Sequence, residues 1–200
     1  VLYLPDAVVT TSLCSPSRAT ILTGQSARNH RIVDNNDGSE AGLTFFPSYL
    51  QEAGYETSFI GKWHMGHLPK HLPITQGFDS YFGIPYSNDM DRDPSVKGNW
   101  VTTGKSSPWS VYHVPLLRDA EEIERPVNQS TSTRRYTQQA VKFIKDNKEN
   151  PFFLYLAHSM PHTTLYRAKN LQGTSPNGIY PALPAEPDRP LAADPTTLTR

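Results

Sequence analysis

Residues 132–157, STRRYTQQAVKFIKDNKENPFFLYLA, decide the fold. Tyr136, Ala140, Phe143 and Ile144 recur three and four apart among polar residues, the spacing of a helix with one apolar face. That spacing predicts a helix over Ser132–Lys148. Asn150-Pro151 breaks it, and Phe152–Ala157 is an unbroken apolar run of the length of a buried strand. The same alternation appears upstream. Leu43–Gly54 predicts a helix with Phe46, Leu50 and Ala53 on one face and Gly54 as its stop, and Tyr55–Ile60 predicts a buried strand running into Gly61-Lys62-Trp63-His64. Ser15–Gly24 predicts a short helix, with Ser15 as its cap, Pro16 in its first turn and Gly24 as its end. Helix, strand, helix, strand implies an α/β layered fold with a mostly parallel central sheet.

Between these elements, residues 84–131 are rich in Pro, Asn, Asp and Ser and read as loops, with a short hairpin near Trp109–Pro115. Six of the 18 prolines fall in the last 25 residues, so 174–200 reads as a Pro/Ala-rich tail without a core of its own. No internal repeat is apparent.

Composition narrows the function. The 19 Lys+Arg balance 19 Asp+Glu, without a run of like charge, which argues against a nucleic-acid binder or a basic membrane-surface module. Mean hydropathy is −0.54, and no apolar stretch approaches the roughly 20 residues a membrane helix needs. The single cysteine, Cys14, excludes an internal disulfide framework and a Cys-rich zinc module.

Cys14-Ser15-Pro16-Ser17-Arg18 is the sharpest local signal. A thiol at a helix start has its anion favoured by the helix dipole, and a guanidinium one turn later can hold an oxyanion. A half-buried cysteine beside a solvent arginine accounts for the same letters. The three intervening residues exclude tyrosine-phosphatase chemistry, which wants five. In an open α/β sheet, chemistry gathers at the carboxyl ends of strands. There Lys62 and His64 follow one predicted strand, and His158 and His162 follow another. His64-Met65-Gly66-His67 and His71 lack a carboxylate or cysteine at zinc-like spacing. That absence favours His67 and His71 on a surface loop with His64 inward.

Cys14-Ser15-Pro16-Ser17-Arg18-Ala19-Thr20-Ile21-Leu22-Thr23-Gly24 resembles the first signature of the formylglycine-dependent sulfatases, and Gly61-Lys62-Trp63-His64-Met65-Gly66 resembles the second. Gln76-Gly77-Phe78-Asp79 and Tyr81–Ser87 resemble the arylsulfatase A branch. The similarity runs in family order from about Val9 to Gly173. It implies an alkaline-phosphatase-like layered sandwich, incomplete at both ends, with 1–173 as the nucleophile half of the catalytic domain and 174–200 as a disordered or frame-altered tail.

The resemblance also implies the chemistry. Cys14 would be converted to formylglycine by the formylglycine-generating enzyme, and one oxygen of its hydrate would attack sulfur. Arg18 would hold the diol and metal region, Lys62 and Ser87 would contact the sulfate, His64 would orient or deprotonate the diol, and His162 would sit near the leaving oxygen. The metal, by resemblance calcium, would take a formylglycine oxygen at Cys14. Its Asp-Asp and Asp-Asn ligands would lie outside the matched region, and Asp34, Asp37, Asp89, Asp91 and Asp93 are not in the motifs to replace them. The implied partners are a sulfated small molecule or glycan and the modifying enzyme, in an extracytoplasmic compartment (secreted, periplasmic or lysosomal). Two rivals stay open: a phosphate mono- or diesterase of the same superfamily, and a non-catalytic anion-binding remnant.

Overall fold

A computed structural model describes residues 8–35, 42–97 and 108–166 of the 200-residue chain. Five strands form one open sheet in the order β4-β3-β2-β1-β5. They are β1 (Glu56–Lys62), β2 (Ser80–Ile84), β3 (Leu116–Arg118), β4 (Glu121–Glu124) and β5 (Phe152–Ala157). β1 runs parallel to β2 and to β5, whereas β3 and β4 form an antiparallel hairpin on the β2 side. The helices are α1 (Cys14–Thr23), α2 (Ala27–His30), α3 (Pro47–Glu52) and α4 (Ser132–Asn147).

Strand alternation builds the two faces of the sheet. Phe59, Tyr81, Leu117, Phe153 and Tyr155 face the layer that holds α1, where Ala19 and Leu22 are buried. Their neighbours Ile60, Phe82, Leu116, Leu154 and Leu156 face Tyr136 and Ala140 of α4. Both faces are covered, and this is why β5 reads as a continuous apolar run. Trp63 is fully buried, stands edge-on to Phe59 with centroids 4.9 Å apart, and donates from Nε1 to the His71 carbonyl at 2.8 Å.

Several expectations need correction. Ser15 does not cap α1. The cap position belongs to Leu13, and Ser15 is buried with its hydroxyl donating to the His64 carbonyl at 2.8 Å. α3 begins only at Pro47, whose fixed φ suits a first turn, so Leu43–Phe46 stays outside the helix. The hairpin lies at 116–124 rather than 109–115, turning at Asp119 with φ of 54°. Trp109–Val111 is a single 3-10 turn. His71 is buried, not on a surface loop, because the carbonyl beside it anchors Trp63; His67 is exposed as expected. Residues 174–200 lie outside the described residues.

The parallel strands converge at Gly61. It has φ of +117°, and a Cβ there would lie 1.9 Å from the Ala157 carbonyl oxygen. Its partner Gly83 is equally restricted, since a Cβ would come within 1.8 Å of the Gly61 oxygen. Only glycines allow this approach, which lets β1 turn and deliver Lys62 to the rim. Gly61→Ala is expected to lower the unfolding free energy by about 3 kcal/mol, from strain and overpacking together. Urea denaturation of the chain reads this directly, and a loss under about 1 kcal/mol would show that the strands can part without cost.

Candidate active site

Three chain segments meet at the carboxyl ends of β1 and β5. α1 supplies Cys14 at its first residue and Arg18 one turn on; β1 ends in Lys62, followed by His64; the loop after β5 brings His162. Cys14, Arg18, Lys62 and His162 line a cavity of about 500 Å³, as do Tyr155, Ser159 and Met160; His64 lies behind that lining. That volume is in the range of roughly 300–1,000 Å³ found for small-molecule sites.

Lys62 organises the centre. Its ammonium donates to Cys14 Sγ at 3.1 Å and to Ser87 Oγ at 3.0 Å. It is 2% exposed, and burial lowers its pKa while the adjacent thiol opposes that shift. Arg18 donates from Nη1 to the Lys62 carbonyl, which holds the end of β1 against α1. Burial lowers the Arg18 pKa too, with Tyr155, Cys14 and Tyr81 opposing. His162 Nε2 lies 4.0 Å from Cys14 Sγ. Its Nδ1 meets the Thr163 carbonyl, which only accepts, so Nδ1 carries a proton and Nε2 is the nitrogen that faces the sulfur.

These neighbours pull the Cys14 pKa down to about 4. The His162 hydrogen bond acts most strongly, His64 next, and the Lys62 charge and hydrogen bond add to them; partial burial opposes. The position at the start of α1 works in the same direction. His64 is 6% exposed, and its ring nitrogens have no hydrogen-bond partner. It still lies close enough to the thiol to favour the anion, and burial keeps its own pKa low. Its backbone is strained at φ of +59° and clamped on both sides. The His64 N–H donates to the Pro85 carbonyl at 3.0 Å, and its carbonyl receives the Ser15 hydroxyl. Strain held this firmly is common where a side chain must be aimed.

The structure therefore brings Cys14, Arg18, Lys62, His64, Ser87 and His162 to one place. His158 lines the same cavity, with its ring 6.2 Å from Tyr136. Asp91 and Asp93 are engaged elsewhere. Asp91 pairs with Arg125 at 2.7 Å, and Asp93 accepts from the Ser95 backbone and hydroxyl. Calcium takes six to eight oxygen ligands. Among the described residues no group of three or more His, Cys, Asp or Glu could hold a metal, and the side chains around Cys14 are cationic or neutral. They do not fit a calcium ion by themselves.

Tyr155 was not a candidate from sequence. It sits in an apolar run that reads as core, yet strand alternation places it on the α1 side, where it lines the cavity. Among the described residues, no helix is long and apolar enough to cross a membrane.

The sulfatase family model matches residues 1–186. Arylsulfatase G of Rattus norvegicus is 34% identical over 197 residues, covering 88% of this chain and 37% of that protein. Human N-acetylgalactosamine-6-sulfatase is 34% identical over 205 residues, covering 90% and 36%. Among solved structures, Ps i-CgsB superposes with a TM-score of 0.71 at 30% identity, covering 95% of this chain and 45% of that one. The same protein has been solved with k-i-k-neocarrahexaose. The chain thus spans little more than a third of the length of these curated relatives. Its family is established all the same: the chain belongs to the sulfatases.

Proposed function

We propose that this chain carries the nucleophile side of a sulfate-ester hydrolase, with Cys14 as the residue that becomes formylglycine. The observation that carries the reading is the convergence on Cys14 of Lys62 at 3.1 Å and His162 at 4.0 Å, with Arg18 on the same wall. A sulfate ester brings negative charge and, on cleavage, an alkoxide that needs a proton. A cation and an imidazole are the groups for those two tasks.

The residues at Cys14 fit the modification. The side chain points into an open cavity, so the modifying enzyme's product would face the same partners as the thiol. Once formed, the hydrated aldehyde supplies an oxygen nucleophile, and covalent catalysis then splits one difficult displacement into two. Lys62 and Ser87 hold a sulfate oxygen, Lys62 as a buried charge whose attraction is little screened. Arg18 braces Lys62 through its backbone and adds positive charge to the wall. His64 takes or holds a proton near residue 14. His162, with its Nδ1 proton fixed on Thr163, moves a proton at Nε2 beside the departing oxygen. Calcium would come with carboxylates from outside the described residues.

The substrate class is a sulfated sugar. The relatives support this by name, one being an N-acetylgalactosamine-6-sulfatase, and the cavity is large enough for a saccharide ring. The test is turnover of paired aryl sulfate and aryl phosphate by the complete protein, co-expressed with a formylglycine-generating enzyme. Sulfate hydrolysis that exceeds phosphate hydrolysis and disappears in Cys14→Ala is the expected result. Preference for phosphate would move the chain to the esterase branch of the superfamily. Binding without turnover would make it an anion-binding remnant.

A further inference from the structure

The two walls of the site are tied to each other through a buried amide that contacts neither Cys14 nor Lys62. Asn88 follows Ser87, the partner of Lys62, and is 1% exposed. Its Nδ2 donates to the Thr164 carbonyl at 3.1 Å, two residues beyond His162. Its own backbone carbonyl receives Nε2 of Gln129, itself 2% exposed, at 2.7 Å. Gln129 in turn sits in the 3-10 turn that leads into α4.

We propose that Asn88 is a positioning residue that locks the Ser87 segment to the His162 loop and so sets His162 against residue 14. Three observations support the assignment. The Ser87 and His162 segments are 76 residues apart in sequence at this contact, so the bond is tertiary and holds no local turn together. The loop after β5 is only lightly packed: Pro161 and Thr163 are exposed, and Met160 and Tyr166 form a small cluster with Trp109 and Leu165. A loop with so few apolar contacts depends on its hydrogen bonds to keep one position. Finally, a buried amide with a specific donor role is worth far more for geometry than for net stability, because loss of one partner leaves the other unsatisfied.

The proposal rests on the reading of His162 as part of the site, but its test does not need catalysis. In the 200-residue chain labelled with 15N-histidine, the His162 ring signals are identified by their loss in His162→Ala. The wild-type chain is expected to show His162 in one hydrogen-bonded state, with a proton on Nδ1. Asn88→Leu removes the donor, and Asn88→Asp keeps the size but turns an acceptor toward the Thr164 carbonyl. Both are expected to move His162 to averaged or mixed tautomer signals. Thr137→Val, which removes a buried hydroxyl bonded to the Thr133 carbonyl in α4, is expected to lower stability and leave His162 unchanged. Should Asn88→Leu fail to fold, Asn88→Asp carries the reading. His162 signals unchanged in a folded Asn88 variant, or altered equally in Thr137→Val, would overturn the proposal. Failure of the complete protein to hydrolyse a sulfate ester would leave this result intact and count only against the proposed function.

Discussion

Lys62→Met is expected to lower the turnover of an aryl sulfate by the complete protein about 10²–10³-fold, the usual cost of removing one donor aimed at developing charge. Lys62 touches both Cys14 and Ser87, so its loss takes the cation from both at once. The methionine keeps most of the aliphatic stem and so most of the packing. In the modified protein residue 14 is an uncharged hydrate, so the exchange also removes the cost of having desolvated the Lys62 charge without leaving a thiolate unpaired. The expected signature is therefore a large fall in kcat with unfolding free energy within about 1 kcal/mol of wild type. A parallel fall in stability and rate would reduce Lys62 to a structural role. Retained turnover would remove it from the site altogether.

The second large effect belongs to the unmodified thiol. With a pKa near 4, Cys14 is a thiolate through the neutral and mildly acidic range. Its alkylation by iodoacetamide should change less than about threefold between pH 7 and pH 5, whereas an ordinary thiol of pKa about 8.5 slows by roughly a hundredfold over that span. Stability follows the same linkage. The folded value lies below the unfolded reference of 9.0, so the unfolded chain binds more protons between the two, and the contribution grows as pH rises from 4 to 9. It is fully present above the unfolded value and lost as pH falls through the folded one. A fully shielded group would give about 1.4 kcal/mol per pH unit in that window. The thiol is only partly buried, so screening narrows that window rather than changing its slope. His64, held neutral by burial, adds a loss of stability as the solution acidifies below its ordinary value. Comparison with Cys14→Ala cancels that common part. Equal pH slopes in the two proteins would show that the thiol is unperturbed.

Much of this architecture is written in local patterns. α4, β5 and β1 are legible because helical spacing and apolar strand runs are strong where both faces of a sheet are covered. Gly24 is legible because a left-handed helix end selects glycine, and it takes φ of +68°. β2 is harder to see: five residues with Gly83 inside do not look like a strand until Gly61 is found across from it. The β3–β4 hairpin hides for a similar reason. β4 reads Glu-Glu-Ile-Glu, an exposed edge with no apolar alternation. Pairing to a neighbour, not propensity, makes these strands.

The site divides the same way. Cys14 and Arg18 share a helix and Lys62 and His64 share a strand end, so sequence spacing alone places each pair. Nothing local links Ser87 or His162 to them: His162 is marked by following a second strand end and by the resemblance to the sulfatases, Ser87 by the resemblance alone. Asn88 carries no signal at all, since its role exists only once the β2 and β5 loops have been brought together.

The claim that residue 14 is the reactive centre is tested most directly by the mass of the peptide that contains it. The chain is produced with and without a formylglycine-generating enzyme, digested, and the peptide spanning Cys14 to Arg18 is measured. The expected result is a thiol without the enzyme and conversion to the aldehyde with it, trapped by a hydrazide. A peptide that keeps its thiol under conditions that convert a known sulfatase would contradict it.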